Sequence, residues 1–292
     1  MLKDNNQKSK DRIITLRQNE NKYAIREEVH GKTTITSSDI IILTHGYNVS
    51  EEGAEEAYKE FQKNFNKYSN QLSTLNKAIY WLIWPSNKPN KRDSELSYFK
   101  TVGVAKNCGE KLAEYLKKLN FSASNKQPRI ILIGHSLGCR LLLEALKKTI
   151  KTNFKLEVFL MAAAVPVSMV QPGQQLNPSI SSTEKYRILY SKKDWVLEYT
   201  FPWGQKLAGE GFDQAVGFKG NPNMGVWSNT KDMENYGHSD YWKGEKSVKW
   251  ILSQLGILKT SSRNLKLERP TIASKSRTLK WRTIPERELS YS

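Results

Sequence analysis

Short, continuous apolar runs recur along the chain, and longer amphipathic segments separate them. The runs are Asp39–Thr44, Ala78–Trp84, Arg129–Ile133, Phe154–Met161 and Tyr186–Tyr190. Runs this short and this apolar are typical of parallel strands that are covered on both faces. They therefore predict the strands of one buried, mostly parallel sheet.

The segments between the runs carry the helical period of apolar residues. Ser50 is a predicted N-cap of a helix whose apolar stripe extends to Tyr68. Further helices are predicted within 95–119, after the glycine-rich turn up to about 150, and over 242–255. Strands that alternate with helices predict a doubly wound α/β fold, a mostly parallel sheet with helices on both faces.

The two ends of the chain and two internal stretches break this alternation. Residues 1–38 are predicted to add edge strands to the same domain, whose core is 39–256. The insertion 165–185 contains prolines that exclude a single helix. The insertion 203–235 contains six glycines, which indicate loops around the opening of a site. The segment 257–292 is predicted to be a basic C-terminal appendage.

The chain is strongly basic, with 46 Lys and Arg residues against 29 Asp and Glu residues and a net charge of +17. Residues 257–292 hold nine of the basic and three of the acidic residues. No zinc-finger spacing, RNA-binding aromatic motif or phosphate loop accompanies this charge, so no specific nucleic-acid motif is present. We expect the basic tail to attract an anionic membrane surface or an acidic partner.

Cysteine content and the N-terminal residues bear on the compartment. The first residues are charged, and no apolar run approaches the roughly 18 residues of a membrane span. Cys108 and Cys139 lie on helical faces that are predicted to be buried, and two distant cysteines supply neither a disulfide framework nor a zinc site. We expect a cytoplasmic protein.

The motif Gly-His-Ser-Leu-Gly at 134–138 lies between a predicted strand and a predicted helix. A serine on such a sharp turn exposes its hydroxyl, and the flanking glycines are needed where strand and helix approach too closely for a Cβ. The motif alone is weak, but the strand before it and the helix after it are the context it requires. Ser136 is therefore predicted to be a nucleophile rather than a helix cap.

A serine nucleophile needs a base, and the chain has four histidines. His30 lies in a polar stretch, and His45 precedes a glycine at the end of an earlier strand. His135 is adjacent to the serine, and we expect it to point elsewhere. His238 remains, in a loop before the last predicted helix, and is the predicted base.

The imidazole needs a carboxylate that holds its tautomer and stabilises its cation. Asp194 follows the strand 186–190 and so lies at the carboxyl edge of the sheet, where sites of doubly wound folds gather. It is the predicted carboxylate. Asp213 and Asp232 stay open as alternatives, since either is also an ordinary turn residue.

Acyl transfer also needs hydrogen-bond donors for the oxygen that becomes negative. The N–H of Leu137 begins the helix after the serine, and the N–H of Tyr47 lies in the His-Gly-Tyr-Asn loop after the strand 39–44. We expect these two backbone groups to form an oxyanion hole, with His45 and Gly46 shaping the loop.

Together these motifs resemble the α/β-hydrolase superfamily, in the chain order Ser, Asp, His. The loop at 43–50, the Ile-Trp-Pro-Ser at 83–86 and the elbow with its helix resemble, more narrowly, a group of bacterial hydrolases defined by a domain of unknown function (DUF900), with esterase or lipase character. The resemblance spans 39–256. It implies serine-dependent hydrolysis of an ester, a thioester or an amide, without a metal. We expect a serine hydrolase that cleaves a small acyl ester or a lipid through an acyl-enzyme, with no cofactor.

Alternatives stay open at this stage. The same triad would serve a thioesterase or an amidase, and a non-catalytic module of this fold would bind anionic partners through its basic surface. Four tryptophans are candidates for an acyl pocket, although core filling is the more common role: Trp81, Trp84, Trp203 and Trp227.

Overall fold

The computed structural model of the protein describes residues 11–19, 23–70, 78–87, 94–122, 127–148, 153–177, 185–220 and 229–259. The chain divides into two units, Met1–Lys259 and Thr260–Ser292, and the second lies outside the described residues. The predicted appendage 257–292 is therefore described only up to Lys259 and stays a prediction.

All the predicted strands and helices are present in the described residues. The strands are β1 (Ile13–Arg17), β2 (Ile25–His30), β3 (Thr34–Ile35), β4 (Asp39–Thr44), β5 (Ile79–Ile83), β6 (Asn120–Phe121), β7 (Arg129–His135), β8 (Lys155–Met161), β9 (Lys185–Tyr190) and β10 (Asn229–Asp232). The α-helices are α1 (Glu51–Tyr68), α2 (Ser94–Lys118), α3 (Leu137–Lys148), α4 (Phe201–Leu207), α5 (Val216–Lys219) and α6 (Glu245–Gln254). A 3₁₀ turn covers Ser168–Val170, and a π-helical turn covers Val196–Thr200.

Eight of these strands form one sheet in the order β10-β9-β8-β7-β4-β5-β1-β2. Neighbouring strands are parallel except β2, which is antiparallel to β1 at the edge. From β4 the chain moves to β5 on one side and later to β7, β8 and β9 on the other. The strand order therefore reverses between β4 and β7, which is the place where doubly wound sheets form their sites.

Helices cover the sheet on both faces, as the fold class predicts. In β4, Ile40 and Ile42 join a hydrophobic cluster with α2 and α3, while Ile41 and Leu43 join a second cluster with α1 and α6. Successive side chains of a strand point to opposite faces, so a strand between two helical layers is apolar at every position. This double burial produces the continuous apolar runs in the sequence.

The predicted beginning of α1 is confirmed, the predicted end near 150 of the helix after the serine lies outside the described residues, and the last helix begins later than predicted. Ser50 caps α1, because its Oγ accepts a hydrogen bond from the N–H of Gly53 at 3.1 Å. The last helix was predicted to begin at Trp242, but α6 begins at Glu245. Gly244 keeps an extended backbone as its N-cap, and the Trp242 ring packs edge-on against α1.

The insertion 203–235 contains more regular structure than its glycines indicate. Helical structure begins before it, at Val196, and continues through α4. The strand β10 pairs with β9 at the edge of the sheet. Its four residues, Asn-Thr-Lys-Asp, carry no apolar alternation, so the pattern does not predict it. Within the described residues, no helix is long and apolar enough to cross a membrane.

Helix α2 contains two glycines whose surroundings differ, and they provide a matched test of helix packing. A Cβ on Gly109 would lie 2.7 Å from the Cβ of Glu144 and 2.8 Å from the carbonyl oxygen of Leu141, whereas Gly103 has nothing within 4 Å. We expect Gly109→Ala to lower the free energy of unfolding by about 1–3 kcal/mol, because α2 must move away from α3. Urea denaturation measures this change.

The Gly103→Ala variant is the control on the same helix. Alanine loses less backbone entropy than glycine on folding, so this change is expected to raise the free energy of unfolding by about 0.5–1 kcal/mol. Equal effects of the two substitutions would contradict the close approach of α2 to α3.

Candidate active site

Ser136 occupies a sharp turn between β7 and α3. Its φ is 53°, in the left-handed region that a residue with a side chain adopts only under strain. Backbone hydrogen bonds hold this conformation: the N–H of Ser136 donates to Met161, and its carbonyl oxygen accepts from Cys139 and Ala164. The turn therefore presents the hydroxyl at the carboxyl edge of the sheet, as in a nucleophile elbow.

The two glycines of the motif are required by close approach. A Cβ on Gly138 would overlap the carbonyl oxygen of His45 and lie 2.8 Å from that of Thr44. A Cβ on Gly134 would lie 2.8 Å from the side chain of Leu142. Helix α3 thus packs directly onto the end of β4, which is the reason the sequence analysis gave for both glycines.

The structure brings together the three side chains predicted to form the triad. His238 Nε2 lies 2.9 Å from the Oγ of Ser136, and its Nδ1 lies 2.8 Å from the Oδ2 of Asp194. Asp194 is fully buried, and its Oδ1 accepts a hydrogen bond from the N–H of Leu197. The carboxylate accepts a hydrogen bond from Nδ1–H, so Nε2 is unprotonated and can accept a hydrogen bond from the serine hydroxyl.

The two alternative carboxylates have other partners. Asp213 accepts hydrogen bonds from the N–H groups of Ser168 and Gln214, and Asp232 accepts one from the N–H of Glu234. Both therefore stabilise the backbone of loops, in the manner of turn aspartates. Asp194 is the carboxylate that contacts His238.

His135 supports the loop that carries His238, a role that the sequence analysis did not predict. Its Nε2 lies 2.7 Å from the carbonyl oxygen of His238. Because a carbonyl oxygen can only accept, Nε2 carries the ring proton and donates a hydrogen bond to it. Burial, and then the nearby His238, lower the pKa of His135 to about 3. A neutral ring therefore fixes the position of the His238 backbone.

His45 fixes the loop that follows β4. Its Nε2 accepts the backbone N–H of Trp84, and its Nδ1–H donates to the carbonyl oxygen of Gly46. The Trp84 indole donates in return to the carbonyl oxygen of His45 at 2.8 Å and stacks on its ring. Burial, and then the Arg17 charge, lower the pKa of His45 to about 3, so the ring is neutral.

Ser86, the last residue of the Ile-Trp-Pro-Ser motif, completes this network. Its carbonyl oxygen accepts the N–H of Asn48, and its Oγ accepts the N–H of Val49. Arg17, at the end of β1, donates to the carbonyl oxygens of both Trp84 and Val49. The loop at 43–50 and the Ile-Trp-Pro-Ser motif at 83–86 therefore form the two sides of one hydrogen-bonded structure.

The loop after β4 lies directly against the elbow. A Cβ on Gly46 would lie 2.8 Å from the Cβ of Ser136, so only a glycine allows this contact. Tyr47 is the next residue after Gly46. Leu137 is the first residue of α3, and the first N–H groups of a helix have no carbonyl partner within it. Both predicted oxyanion donors thus lie next to the serine, and their role stays a prediction.

The tryptophans named as pocket candidates take other positions. Trp81 and Trp84 are buried in the core, and Trp84 also supports the loop after β4. Trp203 is 59% exposed on α4. Trp227 lies outside the described residues.

A buried cluster of charges lies one helical turn after Ser136. Arg140 is fully buried and donates to Glu144 at 2.9 Å and to Glu210 at 3.1 Å, and Lys106 lies 2.6 Å from Glu210. Glu210 thereby ties the segment after α4 to the helix that follows the serine. Charged residues are seldom buried, so the composition does not predict this cluster. The one signal of it in the sequence is the four-residue spacing of Arg140 and Glu144, which places both on the same face of a helix.

Among the residues that the structure describes, no three His, Cys, Asp or Glu side chains lie close enough to hold a metal ion.

The parallel sheet, the elbow and the loop at the switch point define an α/β hydrolase. A scan against family models matches residues 18–202 to the family described as alpha/beta hydrolase of unknown function (DUF900). This match covers more than half of the 292 residues, and the chain belongs to that family. A search of curated proteins found no match.

The chain is also similar to solved structures of low sequence identity. A predicted CIB-like hydrolase from Thermoplasma acidophilum is 15% identical, with a TM-score of 0.42 over 74% of this chain and 86% of that one. Esterase PE8 is 14% identical, with a TM-score of 0.41 over 76% and 94%. The methylesterase MES16 from Arabidopsis is 11% identical, with a TM-score of 0.40 over 74% and 98%.

The two buried histidines make the stability of the fold depend on pH. Their pKa of about 3 lies below the ordinary value of about 6.5. Between these values the unfolded chain binds protons that the folded chain does not, so the free energy of unfolding falls as the pH falls. We expect a loss of about 1.4 kcal/mol per pH unit for each histidine, measured by urea denaturation from about pH 6 to about pH 4.

Two variants isolate the contribution of His135. The His135→Gln variant removes one of the two buried rings, so its unfolding free energy is expected to depend less steeply on pH than that of the wild type. The His30→Gln variant changes an exposed residue of β2 and is expected to keep the wild-type slope. An unchanged slope in His135→Gln would contradict a neutral, buried His135.

Proposed function

We propose that this protein is a serine hydrolase that cleaves a carboxylic ester through an acyl-enzyme. One observation carries the proposal: the chain of hydrogen bonds from Ser136 through His238 to the buried Asp194, at 2.9 and 2.8 Å. A hydroxyl is a weak nucleophile until a base takes its proton, and this chain supplies the base and the group that orients it.

In the first half of the reaction, Ser136 Oγ attacks the ester carbonyl carbon while His238 Nε2 takes its proton. The carboxylate of Asp194 stabilises the imidazolium that forms. The carbonyl oxygen becomes negative and accepts hydrogen bonds from the N–H groups of Leu137 and Tyr47. The tetrahedral intermediate collapses, His238 donates its proton to the leaving alcohol, and the acyl group stays on Ser136.

In the second half, water replaces the alcohol. His238 takes a proton from this water as its oxygen attacks the acyl carbon, and a second tetrahedral intermediate forms. Its collapse breaks the bond to Ser136 Oγ, which recovers its proton from His238, and the carboxylic acid leaves. Each oxyanion donor of such a site contributes about 10²–10³ in rate. The hydrogen bonds that hold the loop after β4 beside Ser136 support this part of the proposal.

The proposed substrate is a small acyl ester or a lipid. A thioester or an amide follows the same two steps with a thiol or an amine as leaving group, so these reactions are alternatives on the same residues. The free, buried thiols of Cys108 and Cys139 support a reducing compartment, and we propose a cytoplasmic location.

A fluorophosphonate probe tests for an activated serine. We expect the wild type to be labelled and Ser136→Ala to be unlabelled, since the probe forms a bond to the serine oxygen. Ser50→Ala, which changes the cap of α1, is the matched control and is expected to stay labelled. Wild-type protein without label would support the non-catalytic alternative, and labelling that survives Ser136→Ala would show that the probe reacts at another residue and contradict the proposed role of Ser136.

Hydrolysis of a panel of nitrophenyl esters, acyl thioesters and anilides tests the reaction class. Asp194→Asn is expected to lower kcat by about 10⁴-fold, because the amide favours the wrong tautomer of His238. Asp213→Asn and Asp232→Asn are the matched controls and are expected to keep kcat within about twofold of the wild type. A loss of the same size in either control would assign the orienting role to another carboxylate.

A further inference from the structure

The segment that follows Asp194 exposes an unusual amount of apolar surface. Among the described residues, six large hydrophobic side chains are exposed, and five of them lie in this one segment. They are 50% to 63% exposed and will be called the aromatic face: Trp195, Tyr199, Trp203, Leu207 and Phe212. An exposed apolar patch that is confined to one segment marks an interaction surface.

The spacing of these residues places them on one side of a helix. Four of them recur every fourth position from Trp195 to Leu207, along the π-helical turn and α4, and such residues share a face. The residues halfway between them, Leu197, Phe201 and Gln205, are buried. The segment is therefore amphipathic: its inner side packs on the core and its outer side carries the aromatic face.

Contacts with the core fix the aromatic face in place. Gln205 donates a hydrogen bond to the hydroxyl of Tyr98 on α2, and Glu210 pairs with Arg140 on α3. The ring of Phe212 packs edge-on against Trp203, with 5.5 Å between centroids. The apolar side chains are thus held outward by a supported backbone, so little conformational entropy is lost when they bind.

Lysines accompany the aromatic face. Lys192 and Lys193 are exposed directly before it, and the Nζ of Lys206 lies 5.3 Å from the centre of the Trp203 ring. Glu198 is exposed and Asp213, beside Phe212, is partly exposed, while Glu210 forms buried ion pairs with Arg140 and Lys106. The three exposed lysines outnumber these two accessible carboxylates, so the face is apolar in its middle and net positive beside it.

We propose that the aromatic face docks on an anionic lipid bilayer. Tryptophan and tyrosine settle at the boundary between headgroups and acyl chains, and lysines beside them contact anionic headgroups. A second copy of the chain fits this surface less well, because a symmetric contact would bring the lysines of both copies together in a protein of net charge +17. The proposal goes beyond the proposed function and does not depend on hydrolysis.

Docking in this way would also place the candidate site beside the lipid. The aromatic face begins at Trp195, the residue after Asp194, and so adjoins the edge of the sheet that carries Ser136. Substrates held in a bilayer would then meet the hydroxyl without diffusing through water.

Sedimentation with vesicles tests the proposal on the full-length Ser136→Ala protein, in which hydrolysis plays no part. We expect binding to vesicles of phosphatidylcholine mixed with phosphatidylglycerol, and weaker binding to phosphatidylcholine alone. Replacing Tyr199, Trp203 and Leu207 by Ser is expected to weaken binding about a hundredfold, since three apolar side chains no longer enter the bilayer. Leu258→Ser, which changes an exposed apolar residue elsewhere, is expected to leave it unchanged.

A second pair of variants separates the aromatic face from the overall charge. Lys192, Lys193 and Lys206 are replaced by Gln in one variant, and the exposed Lys59, Lys63 and Lys118 are replaced by Gln in its matched control. Only the first variant is expected to lose the preference for phosphatidylglycerol. Equal losses in both would overturn the proposal, because binding would then follow net charge rather than this surface.

Two results with the vesicles and one result in solution would overturn the proposal. No binding to anionic vesicles, or binding that survives the loss of Tyr199, Trp203 and Leu207, overturns the proposal. Sedimentation velocity that shows a dimer abolished by the same substitutions assigns the surface to a second copy instead. Labelling by the fluorophosphonate probe is measured without lipid, so either hypothesis can fail without the other.

Discussion

The close approach of α3 to the end of β4 is the constraint on which the site depends. Gly138 permits it, because a Cβ at that position would overlap the carbonyl oxygen of His45. The turn between β7 and this closely packed helix has the left-handed backbone of Ser136, and its hydroxyl lies within hydrogen-bond distance of His238. The same approach brings Gly46 against the serine. One steric condition thus positions the hydroxyl, its contact with the imidazole and the adjoining loop.

Three histidines occupy this site, and their surroundings give them different properties. His45 and His135 are buried and neutral, and each holds a loop through hydrogen bonds of its ring nitrogens. His238 lies between a hydroxyl and a carboxylate, with part of its ring exposed. The rings of His135 and His238 are 5.0 Å apart, so a proton on His135 would oppose the imidazolium that the proposed reaction needs. The low pKa of His135 removes that conflict.

Parts of the fold and site could be predicted because their causes are local. Burial on both faces makes a strand apolar at every position, so the sheet can be recognised from short apolar runs. The strained turn needs flanking glycines, so the position of Ser136 can be recognised from the Gly-His-Ser-Leu-Gly motif. The contact of His135 with the His238 carbonyl depends on how a distant loop folds back, which no local pattern encodes. The same holds for Arg17, whose partners come from two other segments. The strand β10 escaped prediction because an edge position does not require apolar residues.

The interior of the protein also determines the charge of its surface. Glu144 and Glu210 lie with the buried Arg140, Glu157 lies between two arginines, and Asp194 is buried beside His238. Arg140 and Arg187 are buried together with their acidic partners, so these ion pairs largely balance one another inside the protein. The excess of basic residues in the sequence therefore remains at the surface, and its field extends over about 10 Å at ordinary salt. The docking proposed for the aromatic face rests on this field together with the lysines beside that face.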